Sequence, residues 1–519
     1  MRVPLTVGEF LERAAFVYGD RPAVVDEPDR PGTLGTLTYA EVHRRARNMA
    51  AVLDGMGVEH GERVAIVSHN AARFLIAFFG VSGFGRVLVP INFRLNADEV
   101  SYIVDHSGAS VLLIDPELDE ALAGVTAKER ILLDGVADAE LFADRAGAEP
   151  ARWEPDEEAT CTINYTSGTT ARPKGVQLTH RTNVLNAMSF GWHTAVSDRD
   201  VYLHTLPMFH ANGWGMPYAT TAMGVKQVVL RKVDGEDILH RIEEHGVTLM
   251  CGAPAVVAAV LDAAAARRER GEDVPGRATD RRARLRIVVA GAPPPSKTIE
   301  RVETELGWEF IQIYGLTETA PLLTINRTRP EWDDLDPGDR AKLLSRAGVP
   351  AVGVKVTSDP EGEVLARSNH VFEGYWSQPE ETAKAIVDGW FHTGDGGYMD
   401  GPYVVIADRK KDVIISGGEN VSSIEVEDCL FQHPAVAECA VIGVPDEKWG
   451  ETVKALVVLR AGASATEDEL IGHCRDRLAH FKCPTSVDFR TELARTATGK
   501  LQKFKLREPY WEGRDRLVN

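Results

Sequence analysis

The chain has 519 residues, of which 44% are hydrophobic and 26% charged, and a formal net charge of −19. That length exceeds what one hydrophobic core serves, so two or more domains are expected, each of ordinary globular composition. The acidic balance argues against nucleic acid or an anionic membrane as the main partner, and it requires any polyanion site to be locally basic. Six cysteines (Cys161, Cys251, Cys429, Cys439, Cys474 and Cys483) are scattered without a Cys-x-x-Cys pair. This argues against metal or redox use and suits a reducing, cytoplasmic setting better than a disulfide scaffold.

The N-terminal stretch Val3–Arg13 carries acidic residues inside its apolar pattern. It reads as an amphipathic helix rather than a signal peptide, and no apolar run reaches membrane-spanning length. The first third then alternates strand and helix signals. A helix is expected from Val42 to Leu53, a buried strand over Arg63–Ser68, a helix over Phe74–Phe79 and a strand over Val87–Pro90. A helix over Ala97–His106 and a strand over Val111–Asp115 follow. Strands separated by helices imply parallel sheets covered on both faces. The acidic, alanine-rich segment from Glu117 to Glu158, with one strand at Arg130–Asp134, reads as peripheral.

An apolar run ending in Ile163-Asn164 leads into Tyr165-Thr-Ser-Gly-Thr-Thr-Ala-Arg-Pro-Lys174-Gly175-Val176, and a helical pattern opens at Thr179-His180. We read this as a strand, a flexible polar loop and a helix. Such a loop can turn backbone N–H groups and hydroxyls onto a polyphosphate, and the lysine adds a point charge. Its order, Lys174-Gly175-Val176, is not the Gly-Lys-Ser/Thr of P-loop NTPases.

Beyond the loop the alternation continues: strands at Val201–Leu206, Gln227–Leu230 and Leu249–Cys251, a helix over Asp237–His245, then Arg286–Pro293 and Gln312–Glu318. The basic run Arg267–Arg286 could receive the 3′-phosphate of a large nucleotide, but reads rather as a solvated helix end and loop. From Gly362 the strands shorten, with glycine turns and an antiparallel character, until the charged break Asp408-Arg-Lys-Lys-Asp412. The remaining hundred or so residues have the size of a small α+β domain. The expected organisation is therefore a large α/β domain, residues 1–409, of parallel-type sheets covered by helices plus a β-rich part, and a small mobile α+β domain, residues 410–519.

Five stretches in this order need one explanation: the phosphate loop, Gly291-Ala-Pro293, Tyr314-Gly-Leu-Thr-Glu-Thr319, Thr393-Gly-Asp395 and Arg495-Thr-Ala-Thr-Gly499-Lys500. Together they resemble the AMP-forming acyl-CoA synthetase family of the adenylate-forming superfamily, over nearly the whole chain. Pro207–Trp214, Ile415–Asn420 and Thr498–Phe504 look most like the medium- and long-chain fatty-acyl branch. The chemistry is coherent with that likeness. A carboxylate is a poor acyl donor, whereas an acyl-adenylate made by displacing pyrophosphate from ATP has a good leaving group that a thiol can displace. Bringing two anions together requires charge neutralisation.

The resemblance implies a role for each residue. Thr166, Ser167, Gly168, Thr169, Thr170 and Lys174 would hold the β- and γ-phosphates. Tyr314, with Gly315, would stack on adenine against Gly291, Ala292 and Pro293. Thr317 would contact the α-phosphate, and Glu318, helped by Thr166, would hold Mg²⁺. Asp395 and Arg409 would take the ribose. Lys500 would bridge the carboxylate and α-phosphate during adenylation only. A hinge near Lys411 would then withdraw it and bring Gly417 and Gly418 to a pantetheine tunnel. His210 and Trp214 would flank the acyl site, His210 among the catalytic residues. His180 reads as a helix-start residue instead.

The implied cofactors and partners are ATP, Mg²⁺, coenzyme A and a small carboxylic acid, with a homodimer favoured. Ala171 stands where a glycine is usual, Ala494 where a proline commonly precedes Arg495, and Ile415 and Asn420 where some long-chain relatives have lysine and tryptophan. The acid, aliphatic or aryl, and the acceptor, coenzyme A or an amine, a carrier-protein thiol or nitrite, stay open on these motifs.

Overall fold

The computed structural model describes residues 1–519 except 29, 31, 167–171, 279–282, 292–293, 410–411, 417–418, 447–448, 496–500 and 513–519, with the backbone alone at 408, 409 and 420. Two large sheets form its main body. The seven-stranded one runs Gly374–Tyr375, Lys174–Thr179, Thr160–Thr166, Val87–Ile91, Arg63–Val67, Ala109–Ile114 and Glu129–Leu132. The nine-stranded one runs Val349–Pro350, Leu322–Arg327, Glu309–Gly315, Arg286–Val289, Leu249–Gly252, Val201–His204, Lys226–Val229, Pro22–Val25 and Thr36–Thr38. Both are parallel in the middle and antiparallel towards an edge. Central strands such as Arg63–Val67 and Ala109–Ile114 are almost wholly buried. Their continuous β-branched and leucine runs are what a sheet covered on both faces requires.

The helix Ala72–Gly80 is buried at every position. A helix apolar on all sides has no solvent face and must sit inside the fold. Its Phe78 and Phe79 meet the Tyr218 ring edge-on at 5.4 and 5.9 Å, within one core cluster that also takes side chains from both large sheets. Helix starts follow local capping chemistry. Thr38 with Glu41, Asn96 with Glu99 and Thr466 with Glu469 form reciprocal capping boxes, which satisfy N–H groups that the first turn leaves unpaired.

Three runs, Val354–Ser358, Glu363–Ser368 and Trp390–Asp400, build an antiparallel five-stranded sheet with Ile386–Val387 and Tyr403–Arg409; Trp390–Asp400, with 11 residues, is longer than the strands expected here. A further five-stranded sheet begins at Ile414–Ser416 and is packed by the helices Ser423–Phe431, Glu467–Arg475 and Lys503–Trp511. It has its own core around Val426, Leu430, Val441, Val453 and Leu470. Its polar contacts to the larger body include the Asp428 carboxylate, which accepts from the Ser296 N–H at 2.8 Å and from Ser296 Oγ at 3.1 Å. Among the described residues no helix is long and apolar enough to cross a membrane.

One local expectation is corrected. The phosphate loop does not run straight into a helix: Lys174–Thr179 is a strand, antiparallel to Thr160–Thr166, with Thr166 opposite Lys174. The alternation of Val176 and Leu178 with Gly175 and Gln177 is a period-two pattern, and it outweighs the helical signal until His180. The helix His180–His193 starts only there, capped by Thr179 Oγ1 accepting from the Thr182 N–H. The loop therefore closes a hairpin, and no helix N-terminus follows it directly.

Candidate active site

The hairpin fixes Thr166 and Lys174 as neighbours across the ladder; Ser167, Gly168, Thr169 and Thr170 lie outside the described residues. Lys174 Nζ donates to Glu381 Oε2 at 2.5 Å and stands 4.8 Å over the Tyr375 ring. Hydrogen bonds from Lys174 and then Lys384 hold the Glu381 carboxyl down to about 2. The charge of the lysine is thus engaged by a surface carboxylate. Close approach explains Gly175: a Cβ there would stand 2.9 Å from Ile163 Cγ2 and 3.1 Å from the Tyr165 ring.

Tyr375 connects this lysine to the next motif. Its hydroxyl donates to Glu318 Oε1 at 3.0 Å, while the Phe372 N–H donates to the Glu318 carbonyl at 2.7 Å. Burial first, and then the adjacent Glu318 charge, push the Tyr375 phenol well above its ordinary range, so it stays a donor. Glu318 lies with Thr317 in the turn Thr317–Thr319, directly after the strand Glu309–Gly315. That turn is held by the buried Thr319, whose Oγ1 donates to the carbonyls of Leu316 and Pro321 and accepts from the Leu316 N–H. Gly315 is required here, because a Cβ would fall 1.5 Å from the Pro321 oxygen. A half-buried carboxylate oriented by a phenol is the hard oxygen donor that Mg²⁺ accepts, so Glu318 fits the ion expected of it.

Four residues upstream, the Tyr314 hydroxyl donates to Asp395 Oδ2 at 2.8 Å. Asp395 is 7% exposed, and its N–H donates to Thr393 Oγ1 at 3.1 Å, while Thr393 Oγ1 donates to the Val364 carbonyl. The Glu363 carboxylate takes the Gly394 N–H at 2.8 Å and faces His392 Nδ1 at 3.2 Å. Among the described residues, Asp359, Glu363 and His392 are the group close enough to share an ion. One oxygen of each carboxylate takes backbone donors, Asp359 Oδ1 the N–H groups of Glu361 and Glu363 and Glu363 Oε1 that of Gly394, so the cluster braces the Thr393–Asp395 turn. Arg409 is opposite Asp395 in the ladder. Contacts therefore run unbroken from Lys174 through Tyr375 to Glu318, and from the same strand end through Tyr314 to Asp395.

His210 and Trp214 belong to a turn of unusual backbone. Ala211, Asn212, Gly213, Trp214 and Gly215 all have positive φ, from 37° to 75°. For a non-glycine residue that conformation costs about 1–2 kcal/mol, so the turn persists only because its surroundings hold it. Asn212, 1% exposed, supplies the hold: its Nδ2 donates to Thr162 Oγ1 at 3.0 Å and to Asn183 Oδ1 at 3.2 Å. Trp214 is 3% exposed within the central cluster, and His210 is half-buried against Phe209. Strain of this kind concentrates at functional sites.

Gly291 has φ +98°, and Ala292 and Pro293 lie outside the described residues, as do Lys411, Gly417, Gly418 and Lys500. The basic run is largely engaged within the protein. Arg267 and Arg270 bond Glu236, Glu243 and Glu272, Arg277 bonds the carbonyls of Glu305 and Leu306, and Arg286 pairs with Asp200. His180 is buried, its Nδ1 accepting from the Val7 N–H at 3.4 Å, which suits a packing role. Tyr375, Glu381, Glu363 and Asn212 are the supporting residues that motif reasoning missed. Each acts across 29 or more positions of sequence, and no local pattern announces such contacts.

Residues 11–376 match the model of the AMP-binding enzyme family, and residues 425–500 match the AMP-binding enzyme C-terminal domain. A 2-methylpropanoate–CoA ligase of Humulus lupulus is 38% identical, over 97% of this chain and 95% of its own. A 4-hydroxybutyrate–CoA ligase of Metallosphaera sedula is also 38% identical, over 96% and 93%. Among solved structures, the o-succinylbenzoate coenzyme A synthetase from Bacillus subtilis, in complex with ATP and a magnesium ion, superimposes with a TM-score of 0.80 at 28% identity, covering 96% of this chain and 98% of that one. With the layered α/β fold and the motif order, these likenesses make the chain a member of the AMP-binding enzyme family of AMP-forming CoA ligases.

Proposed function

We propose that the protein activates an aliphatic carboxylic acid as its acyl-adenylate and passes the acyl group to coenzyme A. The observation that carries this reading is the continuous line of contacts Lys174–Tyr375–Glu318 with Tyr314–Asp395. It links a lysine, an oriented carboxylate and a buried hydrogen-bond acceptor, the three kinds of group that a nucleoside triphosphate with its ion requires. Mg²⁺, when bound, supplies positive charge against the polyphosphate. The chain's own groups do the rest. Lys174 exchanges Glu381 for phosphate oxygens, aided by Thr166, Ser167, Gly168, Thr169 and Thr170. Tyr314 offers its ring face to adenine beside Gly291, Ala292 and Pro293, and Asp395 with Arg409 orients the ribose. Thr317 meets the α-phosphate, and Lys500 neutralises the carboxylate as it attacks.

Residues 410–519 act as the moving part, turning about Lys411 so that Gly417 and Gly418 admit the thiol. His210 and Trp214 line the acyl side. The motif likeness favours a medium- or long-chain fatty acid. The names of the two relatives favour acids of four carbons. The six free, buried cysteines support a reducing, cytoplasmic location, and a homodimer is the quaternary state we expect.

The test is pyrophosphate release with ATP and Mg²⁺ over straight, branched, hydroxylated and aryl acids from C2 to C16, with and without coenzyme A. A coenzyme A-dependent optimum at C4 to C6 supports the short-chain reading, and an optimum at C8 or above restores the fatty-acyl one. Release indifferent to coenzyme A would transfer the second step to another acceptor.

A further inference from the structure

The helix Ala97–Ser107 ends beside the hairpin of the phosphate loop, and its C-terminal half carries Tyr102 and His106, both half-buried. Residues four apart share a helix face, and these two rings stack with centroids 5.3 Å apart. The Tyr102 hydroxyl donates to the Pro173 carbonyl at 3.3 Å, and the Arg172 guanidinium stands 5.2 Å over the Tyr102 ring. His106 Nδ1 and the Tyr165 hydroxyl are hydrogen-bonded at 2.8 Å. Burial holds the His106 imidazole below its ordinary value, so near neutral pH the ring is uncharged and grips by this bond rather than by charge. One helix face thus holds both limbs of the hairpin, at the residue before Thr166 and at the residue before Lys174.

The grip extends to the neighbouring strand. The His106 carbonyl, one of those that a helix end leaves without an intrahelical partner, accepts from Trp376 Nε1 at 3.1 Å. The Trp376 N–H in turn donates to the Gly175 carbonyl at 2.7 Å. Tyr165 pairs with Gly175, and Thr166 with Lys174. Successive residues of a strand point to opposite faces, so this grip lies on the face opposite to the Thr166 and Lys174 side chains. The packing agrees: Tyr102, Tyr165 and Trp376 pack on the cluster that contains Ile163, whereas Val176 belongs to the other core cluster and Lys174 stands over the Tyr375 ring. Thr166 and Lys174 are also the last rung of their ladder, and strand ends open readily unless tertiary contacts hold them.

We propose that Tyr102 and His106 are positioning residues: from behind the sheet they keep the last rung closed, so that Thr166 and Lys174 present a preset spacing to the β- and γ-phosphates of ATP. This rests on the part proposed for Thr166 and Lys174. It makes a demand that packing alone does not. The grip serves the triphosphate, and AMP, which lacks the β- and γ-phosphates, gains nothing from it.

The experiment titrates the full chain calorimetrically with ATP and Mg²⁺ and, separately, with AMP, in the absence of any acid. It compares wild type, Tyr102→Phe, His106→Leu and His106→Asn, and records each melting temperature. Each lost bond should weaken ATP binding by about two- to tenfold and leave AMP binding unchanged. His106→Asn, whose amide reaches the place of Nδ1, should recover most of what His106→Leu loses. A purely structural role would weaken both nucleotides alike or move the melting temperature alone, and either result overturns the proposal. An asparagine variant no better than the leucine one overturns the part given to His106. Tyr102→Phe removes a single oxygen from a half-buried side chain and carries the test if the leucine variant does not fold. A wild type that binds neither nucleotide would refute the ligase reading, and the proposal with it; a wild type that binds both, with variants indistinguishable from it, refutes the positioning role alone.

Discussion

Tyr375→Phe removes one oxygen and tests whether Glu318 is held in place before any ion arrives. A hydrogen bond to a charged group contributes about 1.5–3 kcal/mol, the upper end requiring exclusion of water. Tyr375 is 9% exposed but Glu318 is only half-buried, so water replaces part of the lost bond, and a loss of about 1–1.4 kcal/mol, or five- to tenfold, is the reasonable expectation. The assay is pyrophosphate release against Mg²⁺ at fixed ATP and acid. The half-saturating Mg²⁺ concentration should rise by that factor, with a smaller fall in kcat. Glu318→Gln should lose more, and adding Tyr375→Phe to it should cost almost nothing further, since the bond is already altered. An unchanged Mg²⁺ dependence in Tyr375→Phe, or fully additive losses in the double variant, would refute the reasoning.

Glu381→Gln frees Lys174 from its competing carboxylate. As an exposed ion pair is weak, the KM for ATP should fall modestly, and a rise would count against the competition. Lys500→Ala should reduce adenylation by about a hundredfold or more while thioester formation from supplied acyl-adenylate continues; equal loss in both half-reactions excludes the moving-domain reading. Asn212→Ala removes two buried hydrogen bonds and places alanine at φ +50°, so a loss of about 2–4 kcal/mol is expected, read as a lower melting temperature; an unchanged one would show that the turn holds itself.

Burial lowers His180 and His204 from 6.5 to about 4. The unfolded chain therefore takes up protons near pH 6.5 that the folded chain refuses, so stability is full above that pH and is lost as pH falls towards 4, by about 2 kcal/mol per histidine at pH 5. The melting temperature should drop between pH 7 and 5, and drop less in His204→Asn. Equal slopes would remove the histidines from the explanation.

Much of the architecture is legible in residue order, because short, β-branched apolar runs such as Val64–Val67 and Val111–Ile114 read as two-sided buried strands. The strand after the phosphate loop was legible too, in the alternation of Val176 and Leu178, but the polar loop and the helix start at His180 obscured it. What the sequence withholds is pairing at a distance. Nothing around Glu318 predicts that Tyr375, 57 positions on, will orient it, and nothing around Lys174 names Glu381, 207 positions on. Those contacts depend on a short strand, Gly374–Tyr375, joining the edge of a sheet begun three hundred residues earlier. The left-handed turn at Ala211–Gly215 was equally hidden, since its stability is supplied by Thr162 and Asn183 rather than by its own residues.

The hairpin setting of the phosphate loop constrains how this chain can vary. Thr166 faces Lys174 across the ladder, so the two ends of the loop are held together by strand register. Deleting or inserting one residue within Lys174–Thr179 itself would force a one-residue slip of that strand, or a bulge to absorb it. A slip would exchange its faces, driving Gln177 towards the core cluster now filled by Val176 and Leu178 and turning Lys174 away from the Tyr375 ring. The register of the strand leaving the loop, more than any single side chain on it, is what this hairpin is obliged to keep.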